Sequence, residues 1–254
     1  MFINITGHSG CNGTKRDSID SIIEAIKAGA DIVEIDVRRD TFGNLILSHD
    51  KQNLEEYKQC YLVKDAFKII RDSEKIRVNC DIKENDEVDQ LFELAEEFGI
   101  EHDKLFLSGS ISTDLLKRES SIMNKAQILW NVEEAVIPFI EPVLIERGME
   151  DQINLLHSLP WQIIKKMEIK VEDYLDMICN QAVQLNISTL NMPYTIVTEA
   201  NLEIMRKNNL KASVWTVNDS DEIIKMLKMH VFNITTLEVN KALKLRGEYL
   251  QNCK

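Results

Sequence analysis

Asp31-Ile32-Val33-Glu34-Ile35-Asp36-Val37 is an apolar run interrupted at alternate positions by carboxylates, and Ser48-His49-Asp50 follows soon after it. Side chains along a strand repeat every two residues, so Glu34 and Asp36 share one face while Val33, Ile35 and Val37 take the other. Taken alone, the pair admits two readings. It is the wet face of a half-exposed strand, or it is a pair of mutually repelling acids held together by a hard, oxygen-seeking cation such as Mg²⁺ or Ca²⁺.

The segment before it bears on that choice. Phe2-Ile3-Asn4-Ile5-Thr6 reads as a first strand running into Gly7-His8-Ser9-Gly10, and Ser18 to Ala30 reads as an amphipathic helix ending at Gly29. Consecutive parallel strands deliver His8 and the Glu34/Asp36 pair to one C-terminal sheet edge, where α/β proteins keep their chemistry.

Downstream the alternation continues. Arg38 to Gly43 is a turn, and Leu45-Ile46-Leu47-Ser48 a short extended piece carrying His49. Helix is expected over Leu62–Ile70, strand over Ile76–Ile82 and helix over Glu87–Phe98. Strands follow at Lys104–Ser108 and Gln127–Val132. Between Glu133 and Lys170 the pattern blurs, with Pro138, Pro142 and Pro160 breaking it, which marks a loop or short-helix elaboration. Helix Val171–Val183, strand Leu185–Thr189, helix Glu199–Asn208, strand Lys211–Val217, helix Asp221–Met229, strand Val231–Thr235 and helix Asn240–Tyr249 complete the chain. Eight strands alternating with helices make an α/β chain that closes as a (β/α)₈ TIM barrel. At 254 residues the chain has the length of one such barrel, so residues 1–254 are expected to form a single domain.

Composition narrows the function. The chain has 42 acidic against 30 basic residues and a net charge of −12, which disfavours nucleic acid as a partner and demands a locally positive site for any small phosphodiester. Its five cysteines are scattered and odd in number, which argues against a disulfide framework or a zinc cluster. It opens on a strand-like run with no signal-like apolar segment, and no window is long and apolar enough for stable membrane insertion. A cytoplasmic location is the resulting expectation, and oligomeric state is left open.

The motifs Gly7-His8-x-Gly10, Ala28-Gly29-Ala30-Asp31-x-x-Glu34-x-Asp36-Val37, His49-Asp50, Asp81-Ile82-Lys83 and Val214-Trp215-Thr216-Val217-Asn218 stand in the order and spacing of one family. The chain resembles the glycerophosphodiester phosphodiesterases, metal-dependent TIM barrels of the PLC-like phosphodiesterase type, over nearly its whole length. The resemblance implies hydrolysis of glycerophosphodiesters to glycerol 3-phosphate and an alcohol. It implies His8 and His49 as the general acid/base pair, Glu34, Asp36 and Asp81 as ligands of a divalent metal, Mg²⁺ or Ca²⁺, and Lys83 as an added positive charge on the substrate. Trp215 then forms a wall against the alcohol portion.

The chain also departs from the family pattern. An arginine, a phosphate ligand, usually follows the first histidine, and here Ser9 stands in its place, with Arg16 or Lys15 as candidate replacements for the missing charge. Ser9 and Arg16 are thus expected beside the substrate. Asp81 is one methylene shorter than the usual glutamate, Leu237 replaces a frequent aspartate, and the connection between His49 and Asp81 is short, so the small inserted subdomain of many members is reduced or absent. These departures bring in two alternatives: transphosphatidylation of lysophospholipids, as in the related sphingomyelinase D-type phospholipases, and a barrel that has lost catalysis and serves as a binding module.

Overall fold

The computed structural model describes residues 2–51, 59–73, 75–84, 88–118 and 120–252. Strand β1 (Asn4–Gly7) leads through helix α1 (Ile19–Ala28) to strand β2 (Ile32–Arg39), and β3 (Leu45–Leu47) folds back on the end of β2. Then come α2 (Val63–Arg71), β4 (Arg77–Ile82), α3 (Val88–Glu97), β5 (Leu105–Gly109), α4 (Thr113–Arg118) and β6 (Gln127–Asn131). Four helices form an excursion after β6: α5 (Val132–Ala135), α6 (Ile137–Glu146), α7 (Ile153–Ser158) and α8 (Pro160–Lys166). The chain ends with α9 (Leu175–Gln184), β7 (Thr189–Pro193), α10 (Glu199–Lys207), β8 (Lys211–Trp215), α11 (Ser220–Lys228), β9 (Asn233–Thr236) and α12 (Val239–Asn252).

Around the sheet the order is β1-β9-β8-β7-β6-β5-β4-β2, and a β1–β2 pairing closes it into an eight-stranded barrel. All eight strands are parallel, while β3 is an antiparallel appendage that pairs Leu47 with Val37. The expected barrel is therefore the observed one. Register places Asp36 beside Asp81 and Asp81 beside Ser108 on neighbouring strands.

Helix starts follow local chemistry. Ser18 Oγ accepts from the Ser21 N–H at the head of α1, Thr198 Oγ1 from the Asn201 N–H at α10, and an Asp219 carboxylate oxygen from the N–H groups of Asp221 and Glu222 at α11. Pro138 and Pro160 sit in the first turns of α6 and α8, where the missing N–H costs nothing, so they open helices rather than interrupt them. Pro142 lies inside α6, contrary to the break expected there.

Helix ends share a device. Gly29, Gly99, Gly148, Glu168, Asn186, Asn209 and His230 all adopt positive φ. In each case the next residue's N–H reaches back to a carbonyl five positions earlier, as from Ala30 to Ala25, Ile187 to Ala182, and Val231 to Met226. This closure moves two expected strands. Leu185 and Ile187 belong to the end of α9, so β7 begins at Thr189; Val231 closes α11, so β9 begins at Asn233. The helix expected over Val171–Val183 opens as a 3₁₀ turn, Val171–Tyr174, before α9. The first residue of the helix expected from Glu87 lies outside the described residues.

The large apolar core fills the annulus between strands and helices, with Phe67, Leu91, Trp130 and Ile22 fully buried in it. Inside the barrel only a small plug, Ile32, Phe106 and Leu129, is apolar. Above it the inward residues are polar and joined in pairs. Thr6 donates to Asn233, Asn233 to Ser213, Asn79 to Ser108 and Asn191 to Asn131, at 2.7 to 3.0 Å. A polar interior opening upward is the setting of the site.

Candidate active site

His8 follows the last residue of β1. Its Nδ1 lies 3.0 Å from the Ser9 carbonyl oxygen and 3.8 Å from Glu34 Oε2, so Nδ1–H is the donor in the neutral ring and Nε2 is the atom left for proton exchange. Burial alone would lower its pKa. The Glu34 carboxylate, the Ser9 carbonyl and the Asp36 charge more than reverse that, and the imidazolium is favoured beyond its ordinary range. His49 Nδ1 is 2.7 Å from Asp50 Oδ1, which fixes the same tautomer and again leaves Nε2.

One side chain ties the two histidine segments together. Asp17, in the left-handed conformation, accepts from Ser9 Oγ at 3.1 Å through Oδ1 and from the His49 N–H at 3.1 Å through Oδ2, while its own N–H donates to Ser9 Oγ at 2.7 Å. Ser9 is thereby committed inward. Its N–H donates to Glu34 Oε2 at 2.8 Å, its hydroxyl is bonded to Asp17, and it does not line the cavity, so the substrate contact expected of Ser9 is corrected to a supporting position beneath Glu34. Arg16 does line the cavity, with Nη2 3.6 Å from Asp36 Oδ2. Lys15 does not.

Glu34, Asp36 and Asp81 each bring one carboxylate oxygen to a common point, all within 4.8 Å of one another. Glu34 is 5% and Asp36 1% exposed, and burial, followed by the charge of Asp36, pushes Glu34 up to about 7. Lys83 lies between two of the acids, its Nζ 2.5 Å from Asp36 Oδ1 and paired also with Asp81. Ser108 Oγ donates to Asp81 Oδ1 at 2.7 Å and fixes the carboxylate. Gly109 makes room: a Cβ there would stand 2.2 Å from the Ile82 carbonyl oxygen and 2.9 Å from Asp81 Oδ1. Asp36 Oδ2 is buried with no hydrogen-bond partner. Three converging carboxylates, one with an unused oxygen, are a fitting donor set for a hard divalent cation.

The cavity these residues line has a volume of about 450 Å³ at the C-terminal mouth of the barrel. Trp215, at the end of β8, is in its wall. So are residues that reading the sequence did not single out: Asn131, Glu133, Glu134, Trp161 and Asn191. Glu133 and Glu134 stand in the first turn of α5 directly after β6, and acids at the C-terminal end of a barrel strand are the signal by which they were findable. Burial pushes Glu133 up to about 7, and burial with the Glu133 charge pushes Glu134 up to about 8. Trp161 carried no such signal, because α8 reaches the mouth only through the folded excursion.

Fold and site together define a class, the parallel (β/α)₈ barrel with an acid triad, two histidines and a lysine at its C-terminal mouth. Solved structures of that barrel include a glycerophosphodiester phosphodiesterase from Thermotoga maritima, 20% identical, with a TM-score of 0.68 over 97% of this chain and 99% of that one. A protein described as a putative glycerophosphoryl diester phosphodiesterase from Agrobacterium tumefaciens matches with 0.71 at 14% identity over 99% and 100% of the two chains. A phosphodiesterase from Oleispira antarctica, solved in complex with the product sn-glycerol-3-phosphate, matches with 0.65 at 14% identity over 95% and 96%. No protein-family model and no curated protein sequence matches the chain. Among the described residues, no helix is long and apolar enough to cross a membrane.

Proposed function

We propose that this chain is a metal-dependent glycerophosphodiester phosphodiesterase that releases glycerol 3-phosphate and an alcohol. The observation that carries the reading is the convergence of Glu34, Asp36 and Asp81 in one cavity with His8, His49, Lys83 and Arg16. The likeness in fold to solved glycerophosphodiester phosphodiesterases supports it.

Cleaving a phosphodiester takes a deprotonated nucleophile, a proton for the leaving oxygen, and stabilisation of charge on the phosphoryl oxygens. The two Nε2 atoms of His8 and His49 serve the first two needs. One imidazole takes the proton of the substrate glycerol's neighbouring hydroxyl as its oxygen bonds to phosphorus, while the other, as imidazolium, gives its proton to the leaving alcohol oxygen; water then opens the resulting cyclic phosphate to glycerol 3-phosphate with the two roles exchanged. Glu34, Asp36 and Asp81 would hold Mg²⁺ or Ca²⁺, which supplies Lewis-acid polarisation of a phosphoryl oxygen. Arg16 and Lys83, together with the divalent cation, would supply the positive charge that the phosphate meets in a chain of net charge −12. Asp17 and Ser9 hold the histidine segments at fixed separation.

The test is turnover of glycerophosphodiesters with Mg²⁺ or Ca²⁺ and with chelator, followed by phosphorus NMR. Glycerol 3-phosphate that forms only with metal, and not in His8→Ala or His49→Ala, is the expected result. A cyclic phosphate accumulating from lysophospholipid would move the reading to the transphosphatidylating relative. Absence of turnover of any diester, with the metal still raising the melting temperature, would move it to a binding module.

A further inference from the structure

The backbone around His49 is held from several directions. The Ser48 N–H donates to the Asp36 carbonyl oxygen at 3.1 Å, and Ser48 Oγ donates to the Asp50 carbonyl oxygen at 2.8 Å. The His49 N–H is taken by Asp17, and the His49 carbonyl oxygen accepts from Arg38 Nε at 3.0 Å. Both polar groups of the His49 main chain are thus bonded to side chains distant in the sequence. Arg38 stands two positions beyond Asp36 on β2, so it shares a face with the acid pair.

Arg38 is itself held. Its Nη1 donates to Glu84 Oε1 at 3.0 Å, and its side chain is only 14% exposed. Glu84 directly follows Lys83, whose N–H donates to the Val37 carbonyl oxygen at 3.1 Å, so the end of β4 is fastened to β2 beside the arginine. An exposed ion pair contributes little, but this guanidinium is largely enclosed and spends its Nε on a carbonyl rather than on the acid. Lys51 also reaches Glu84 Oε1, at 3.2 Å, yet its side chain is 77% exposed and adds little. Arg38 does not line the cavity, so whatever it does for the chemistry passes through His49.

We propose that Arg38 is a positioning residue for His49 and that Glu84 holds it in place, so that the end of β4, where Asp81 and Lys83 stand, sets the distance of the His49 imidazole from the acid cluster. The effect on turnover rests on the hydrolase reading, though the link to His49 does not. A planar guanidinium serves two acceptors in fixed directions, here a carbonyl and a carboxylate. An ammonium on a flexible stem carries the same charge without that geometry. Charge alone is therefore not what the position requires.

Two variants test the link. Arg38→Lys keeps the charge and loses the fork, and Glu84→Ala releases the arginine. The kcat for glycerophosphodiesters is expected to fall about 10²-fold in Arg38→Lys and about tenfold in Glu84→Ala, with KM within about twofold of the wild type in both. The double variant should be no slower than Arg38→Lys alone, because both changes act on one link. Circular-dichroism melts with and without Mg²⁺ check that each variant folds and keeps its thermal response to metal. An unchanged kcat in Arg38→Lys, a rise in KM alone, or two falls that multiply in the double variant overturns the proposal. Carbon-13 NMR of labelled histidine gives a readout without turnover. Among the five imidazoles, the His49 signal, assigned by its loss in His49→Ala, is expected to shift in both variants, and the His8 signal, assigned likewise, to stay. An unmoved His49 signal, or movement of all five, overturns the link. A selective His49 shift in a chain whose wild type turns over no diester removes the hydrolase reading and leaves the link standing.

Discussion

At the scale of single residues, Lys83 holds the acid cluster together. Burial alone would lower its pKa, yet the charges of Asp81 and Asp36 raise it well above the ordinary lysine range, so the ammonium is an integral counter-ion. Lys83→Met keeps most of the apolar stem and removes the charge. It is expected to cost about 3 kcal/mol in urea unfolding with chelator present, because buried acids lose their partner, and to cost much less with saturating Mg²⁺. An equal loss under both conditions would remove the linkage between lysine and metal. Glu133 and Glu134 give a second measurable effect. Their pKa values, about 7 and about 8, lie above the ordinary 4.5, so through that window the folded chain keeps protons that the unfolded chain has released. Stability therefore falls as pH rises from about 4.5 to 8, each group contributing at most roughly 1.4 kcal/mol per pH unit of its shift. Thermal melts in chelator at about pH 5 and about pH 8 should show the drop, and Glu133→Gln should shrink it; a slope unchanged by Glu133→Gln and Glu134→Gln would place the titration elsewhere.

At the scale of elements, the recurrent helix closure has a testable side. Glu168 is exposed and held at φ 53°, a conformation that suits glycine better than any residue with a Cβ. Glu168→Gly is expected to raise stability by about 0.5–1 kcal/mol, and a loss in urea unfolding would contradict the strain argument. The same closure explains where the sequence misleads. Val231 and Ile187 look like strand residues because they are apolar and follow a turn, yet they are the apolar caps with which α11 and α9 end. Period-two alternation, by contrast, put Glu34, Asp36 and Asp81 on the inward face where they are observed, because a strand buried on both faces keeps its polar residues on the side where the barrel interior offers them partners. Ser9 was misjudged for a different reason. Its place after His8 in the chain says nothing about Asp17, whose carboxylate turns the hydroxyl inward. On the proposed function that carboxylate should matter for turnover: Asp17→Ala unties the His8 segment from the His49 segment, and a fall in kcat of roughly 10²-fold with little change in KM is expected from the misplacement of the proposed acid/base pair. A change in KM alone would make Asp17 a binding element.

At the scale of the whole molecule, the two ends of the barrel do different work. At the closed end Arg246 of α12 donates to the Ile3 carbonyl oxygen at 2.8 Å and pairs with Asp31, whose carboxylate accepts from the Ile5 N–H at 2.8 Å. The last helix is thereby fastened to the first strand. Arg246→Leu should cost about 3 kcal/mol in urea unfolding, since it leaves Asp31 short of its partner, and should leave the thermal shift on adding Mg²⁺ unchanged. At the open end, the triad stands on β2 and β4 and the histidines on the segments directly after β1 and β3, whereas Trp161 is carried by the excursion between β6 and β7, whose first turn holds Glu133 and Glu134. The barrel's strand-to-strand ladder runs past that excursion without using it. Residues 132–166 still bury Ile137, Ile140, Leu144, Leu156, Ile163 and Ile164 in the main core, so that, on the proposed function, a different set of short helices after Asn131 would change the wall of the cavity and leave the phosphate chemistry where it is only if it kept that buried apolar face.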